Sequence, residues 1–289
     1  MGERLRLSAG PITLELEPGL GGSVTRFDYD GRPVFRPAPD DAADVLQTSA
    51  FPLTPFCNRV RDGRFAFAGR EVLLQPNLPP QRHPLHGQGW RSAWTVVQAD
   101  AGSATLRFRH DAGDWPWTYE AEQRFTVADS TLAWTLSTTN RDTAPMPCGL
   151  GWHPYWPANA ETVLDAEVTT VWLIDAEIMP TEAAPAEGRY ALRDRRISGA
   201  DLDNGYEGWS GVARLTWPDT GLRAEMRAPG AARFQVYAPA EGGLVCAEPV
   251  TNRNGVFGYP PEQWPELGVA ILAPGDTAEL AVELRVARL

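Results

Sequence analysis

One-for-one alternation of apolar and polar residues constrains this chain more than any other feature. Leu132, Trp134 and Leu136 alternate with Ala133, Thr135 and Ser137, and Leu222, Ala224 and Met226 alternate with Arg223, Glu225 and Arg227. Near the C-terminus Leu280, Val282, Leu284 and Val286 alternate with Ala281, Glu283 and Arg285. Successive side chains of a strand point to opposite faces, so a period of two marks a strand with one face buried. Turn-forming residues punctuate these runs: Asp30-Gly31, Ala128-Asp129-Ser130, Pro218-Asp219-Thr220-Gly221 and Pro274-Gly275-Asp276. No long stretch carries the apolar stripe of a helix. Closely spaced strands with short turns predict an all-β fold, an antiparallel sandwich or barrel.

With 289 residues, 43% of them hydrophobic, the chain can bury a sizeable core, and without a linker or repeat one domain over residues 1–289 is expected. The segment from Pro180 to Glu187 reads as a surface loop. Asn77 to His86 cannot be regular structure, since Pro79, Pro80 and Pro84 lack backbone donors. The net charge of −11 would repel a phosphate backbone, which argues against nucleic-acid binding. All 26 basic residues counted as Lys or Arg are arginines. No apolar run is long enough for a membrane helix, and the first residues lack the features of a secretory signal. A cytoplasmic protein beginning near Met1 is expected. Cys57, Cys148 and Cys246 are an odd, unpaired set and read as reduced thiols.

Only four histidines occur. His153 lies in Gly149-Leu150-Gly151-Trp152-His153-Pro154-Tyr155-Trp156, where glycines allow close backbone approach and the aromatic rings could accept the C–H faces of a sugar. The alternative is a hydrogen-bonded core histidine. His83 and His86 share a proline- and glycine-rich loop without a third or fourth ligand at useful spacing, so no metal is expected there. A loop histidine of this kind suits donation to a ligand hydroxyl. His110 is expected on a solvated strand edge. Glu248 ends an apolar run, where partial desolvation would raise its proton affinity toward that of a general base; a salt bridge to an arginine is the other reading. Arg59 could fork onto ring hydroxyls or sit at a strand edge. Asp203 could accept two vicinal hydroxyls, or could be a turn aspartate in Asp203-Asn204-Gly205.

Taken together, Asn58-Arg59 with Gly63 and Phe65, Leu85-His86-Gly87, His153-Pro154-Tyr155, Asp203-Asn204 with Tyr206, and Glu248-Pro249 resemble the aldose 1-epimerase (galactose mutarotase) family. Phe51-Pro52-Leu53, Tyr237-Ala238-Pro239 and Leu272-Ala273-Pro274-Gly275 resemble it too. The resemblance implies a large antiparallel β-sandwich and cofactor-free interconversion of the α and β anomers of a free aldose. It implies His153 as general acid and Glu248 as general base, with His86, Arg59 and Asp203 holding the sugar. Trp152 and Trp156 are expected to floor the site. The chain departs from the family pattern at Trp156-Pro157 and at Gln88, which bears on sugar preference.

The partner expected is a small-molecule sugar, with the protein a monomer or homodimer. Two alternatives stand beside this reading. A hexose-6-phosphate 1-epimerase would need arginines converging on phosphate, for which Arg61, Arg82 and Arg91 are available. A non-catalytic carbohydrate-binding or sugar-sensing protein would not require an acid–base pair. A glycosidase normally needs two carboxylates, and only Glu248 stands out.

Overall fold

The structure, a computed structural model, describes residues 4–289. The alternating runs form strands whose apolar members are buried. Leu132, Trp134 and Leu136 point inward from Thr131–Asn140, and Leu280, Val282, Leu284 and Val286 point inward from Thr277–Arg288. These two strands pair with each other, flanked by Tyr119–Ala128 on one side and Leu222–Arg227 on the other. They form the middle of a nine-stranded antiparallel sheet.

A second, eleven-stranded sheet packs across it. Its centre runs in the order Ala50–Leu53, Gly151–Ala158, Gly243–Val250, Arg233–Ala238 and Leu202–Glu207. Tryptophans weld the two sheets. Trp134 of the nine-stranded sheet stacks on Trp152 of the other, with ring centroids 4.8 Å apart. Trp156 stacks on Trp217 at 6.0 Å, and Phe35 meets both Trp152 and Trp156 edge-on. Such pairs add to the large area that aromatic burial removes from water. The fold is therefore an all-β antiparallel sandwich.

Helix is confined to short 3₁₀ turns, and no helix of the described residues is long and apolar enough to cross a membrane. Three local expectations are corrected. The segment from Pro180 to Glu187 is not wholly loop, because Pro180–Pro185 is the edge strand of the eleven-stranded sheet. Prolines are tolerated at an edge, where a missing N–H breaks no ladder. Asp203-Asn204-Gly205 is not a turn but the interior of Leu202–Glu207, paired with Arg233–Ala238. His110 ends its strand half-buried, its Nε2 3.0 Å from the Trp115 carbonyl oxygen, so it is less solvated than its polar flanks imply.

Candidate active site

Period-two geometry places chemistry on the outer face of the eleven-stranded sheet. Gly151–Ala158 pairs Gly151 with Val250 and Tyr155 with Cys246, which sets His153 opposite Glu248. Glu248 in turn faces Gln235, Gln235 faces Gly205, and His153 faces Phe51. A parallel row holds Tyr155, Cys246, Tyr237 and Asp203. Strands distant in sequence thus line up one polar band. It floors a cleft of about 320 Å³, within the usual range for small-molecule sites.

The other wall comes from the segment between Thr54 and Arg91, which contributes Asn58, Arg59, Gln81 and His86 to the cleft. Within it Arg64–Phe67 pairs with Arg70–Leu73 in a two-stranded hairpin apart from both large sheets, and the proline-rich stretch 77–86 forms no regular strand. His86 has a positive φ of 61° and is followed by Gly87 at φ 70°. A Cβ on Gly87 would stand 2.2 Å from the Thr54 carbonyl oxygen, so only glycine fits. This accounts for the glycine in Leu85-His86-Gly87. The glycines before His153 likewise make room for the protein itself: a Cβ on Gly149 would fall 2.0 Å from Asn252 Oδ1.

His153 Nε2 lies 3.3 Å from Glu248 Oε1. Burial dominates the electrostatics of both. It pushes the Glu248 carboxyl well above the ordinary carboxylate range, helped by the nearby Asp203 charge and opposed by Arg59. It pushes His153 down to about 3. Both shifts favour the neutral forms and so bias the proton shared by the pair toward Glu248. His86 is also held well below its ordinary value by burial, and then by His153 and Arg59. Its Nδ1 accepts the Asn58 N–H at 3.0 Å, which leaves the neutral ring's proton on Nε2 as a donor.

Arg59 donates to Asn58 Oδ1 at 3.0 Å and to Gln81 Oε1 at 3.2 Å, and approaches Asp203 Oδ2 at 3.8 Å. Gln235 Nε2 donates to Asp203 Oδ1 at 2.8 Å. Burial raises the Asp203 carboxyl above its ordinary value, with Arg59 opposing. Among the described residues, His153, Cys246 and Glu248 are the set that could ligate a divalent ion, with donor atoms within 4.8 Å of one another. The acid–base chemistry available to His153 and Glu248 calls for no such ion.

The sequence profile of the aldose 1-epimerase family matches residues 17–285. The chain belongs to the aldose 1-epimerase family. It is 33% identical over 292 aligned residues to the uncharacterized protein YphB of Escherichia coli (strain K12), with 97% of each chain covered. The crystal structure of an aldose 1-epimerase candidate from Escherichia coli K12 superposes with a TM-score of 0.91 at 30% identity, covering 99% of each chain. A galactose mutarotase-like protein from Clostridium acetobutylicum gives a TM-score of 0.86 at 16% identity, covering 99% of this chain and 95% of that one. At that identity the likeness concerns the fold.

Within this aldose 1-epimerase fold, His153, Glu248, Arg59, His86 and Asp203 all converge on the one cleft. Trp152 and Trp156 do not. Both are fully buried between the sheets, because residues 152 and 156 have the opposite parity to His153 and Tyr155 along the strand. The expected aromatic floor is corrected accordingly: Tyr155, Tyr237 and Trp90 are the aromatics that border the cleft. His83 lies beside it, in an adjoining hollow, with Nδ1 accepting the Asp62 N–H. Gln81, Gln235 and Ile178 escaped sequence reasoning. Gln235 carried one signal, since it stands two residues before Tyr237 and therefore on the same face.

Proposed function

We propose that this aldose 1-epimerase family member interconverts the α and β anomers of a free, uncharged aldose. The observation that carries the reading is the His153–Glu248 pair, 3.3 Å apart on the floor of a cleft of sugar size. Ring opening needs one proton removed from the C1 hydroxyl and one delivered to the ring oxygen. Glu248 as carboxylate takes the first while imidazolium His153 gives the second. The C1–O5 bond breaks, its electron pair stays on O5, and C1 becomes an aldehyde. The pair is then neutral again. Because burial favours the neutral forms at rest, a proton passes first from Glu248 Oε1 to His153 Nε2, 3.3 Å away, and ring opening returns the pair to the state that burial favours. Rotation about C1–C2 and the reverse transfers close the ring on the other face. A positioned acid–base pair contributes about 10²–10⁴-fold. The His86 Nε2–H and Arg59 can stabilise charge gathering on the ring oxygen.

Charge supports an unphosphorylated substrate. Among the described residues Arg59 is the one arginine lining the cleft, and two of its five N–H donors already go to Asn58 and Gln81. Arg61 pairs with Asp175, Arg82 with Asp62 and Glu177, and Arg91 with Asp44. None of these three borders the cleft, so a dianion would enter without convergent cations. Polarimetry or exchange NMR over a panel of free aldoses, with glucose 6-phosphate beside glucose, tests the proposal. Acceleration of a free aldose and not of its phosphate is expected. Binding without accelerated exchange would overturn it in favour of a sugar-binding protein.

A further inference from the structure

The turn beside the cleft holds a residue in a conformation that its type disfavours. Residues 175–179 join the strands Thr170–Ile174 and Pro180–Pro185. The Asp175 carboxylate accepts the N–H groups of Glu177 and Met179, each at 2.9 Å, and Met179 is anchored in the interior. Between them Ile178 has φ 62°. In this left-handed region a β-branched side chain crowds the backbone, and glycine or asparagine is the usual occupant. Core packing does not explain the isoleucine, whose side chain is only partly buried. Strain of this sort persists where surrounding structure enforces it, and it concentrates at ligand sites.

Ile178 borders the His153–Glu248 cleft and two of the hollows that adjoin it. One, of about 280 Å³, lies beside Arg59, Gln81 and His83; the other, of about 560 Å³, lies beside Asp203 and Tyr237. Its carbonyl oxygen accepts Asn254 Nδ2 at 2.9 Å, while Asn254 Oδ1 accepts the Arg59 N–H at 3.1 Å. One asparagine therefore fixes the turn and Arg59 relative to each other.

We propose that Ile178 is a substrate-contacting residue, the apolar lip against which C–H groups of the sugar rest and which separates the catalytic cleft from its two neighbours. The proposal rests on the aldose reading above and names a contact that the acid–base pair does not require. Arg59, Asp203 and Gln235 can take hydroxyls, whereas an apolar side chain takes the intervening C–H surface. A contact present equally in the bound sugar and the transition state sets KM and leaves kcat alone.

The test uses Ile178→Asn, Ile178→Gly and Ile178→Leu in the full chain, read by polarimetry on the aldose that the wild type turns over fastest. Asparagine tolerates left-handed backbone, so its variant is expected to melt no lower than the wild type. KM is expected to rise about tenfold in the asparagine and glycine variants, with kcat within about twofold. Leucine keeps the apolar volume and holds KM within about threefold. Unchanged KM in the asparagine and glycine variants overturns the proposal. So does a KM rise that appears only with a lowered melting temperature in the asparagine variant. Should the wild type accelerate no aldose, the proposed function fails instead, and the same contrast read as Kd for glucose by calorimetry then decides the role of Ile178.

Discussion

Glu248→Gln separates two descriptions of the His153–Glu248 pair by the sign of a stability change. The amide keeps the shape of the side chain and its place 3.3 Å from His153 but cannot ionise. An unfolded glutamate ionises above its ordinary value of 4.5, and a carboxyl that the fold keeps protonated forgoes that gain. Since the folded proton affinity is raised, the cost is absent below pH 4.5 and grows with pH toward the folded value. The cost therefore reaches at most about 1.4 kcal/mol for each pH unit above 4.5. Glu248→Gln is therefore expected to be more stable than the wild type near pH 6.5 by up to this amount, with turnover lowered by about 10²–10⁴-fold. Urea unfolding followed by tryptophan fluorescence at several pH values measures it. If the folded pair were instead a carboxylate and an imidazolium, removing one partner of a buried ion pair would destabilise by about 3–5 kcal/mol. A variant less stable than the wild type, or a difference that does not change with pH, refutes the neutral-pair argument.

Acid brings the opposite dependence for histidine: folding lowers the proton affinity of His153 to about 3, so its contribution is intact above pH 6.5 and lost as pH falls. His153→Asn is expected to flatten the acid limb of stability by about 1.4 kcal/mol per pH unit in denaturant titrations between pH 6.5 and 4.5. Trp152→Phe is expected to cost about 1–3 kcal/mol in thermal unfolding while leaving KM unchanged, and a KM shift above about threefold would return Trp152 to the sugar site. Gly87→Ala is expected to cost more than about 2 kcal/mol, measured by urea unfolding, because its Cβ would meet the Thr54 carbonyl oxygen.

Alternation made the strands legible, and the ordered motifs made the site legible. What neither carried was parity. In Gly151-Trp152-His153-Pro154-Tyr155-Trp156 both faces of the strand are aromatic and both are covered, so nothing in the residues says whether Trp152 or His153 faces the cleft. Only the register against Gly243–Val250 decides it. Asp203-Asn204-Gly205 has good turn chemistry, but pairing with Arg233–Ala238 outweighs that local preference. Ile178 was invisible because its importance lies in a backbone angle and a position at a rim, neither of which residue type announces.

The polar band runs along the hydrogen-bond ladder, across four strands, rather than along any one of them. A slip of one residue in any pairing would turn that strand's share of the band into the oil of the interior. The His153–Glu248 pair is thus locked to the weave of the sheet, while the segments arching over it, around Arg59–His86 and Ile178, are free of that weave. Grafting those arches between relatives would reshape what the cleft admits while leaving the His153–Glu248 pair beneath in place.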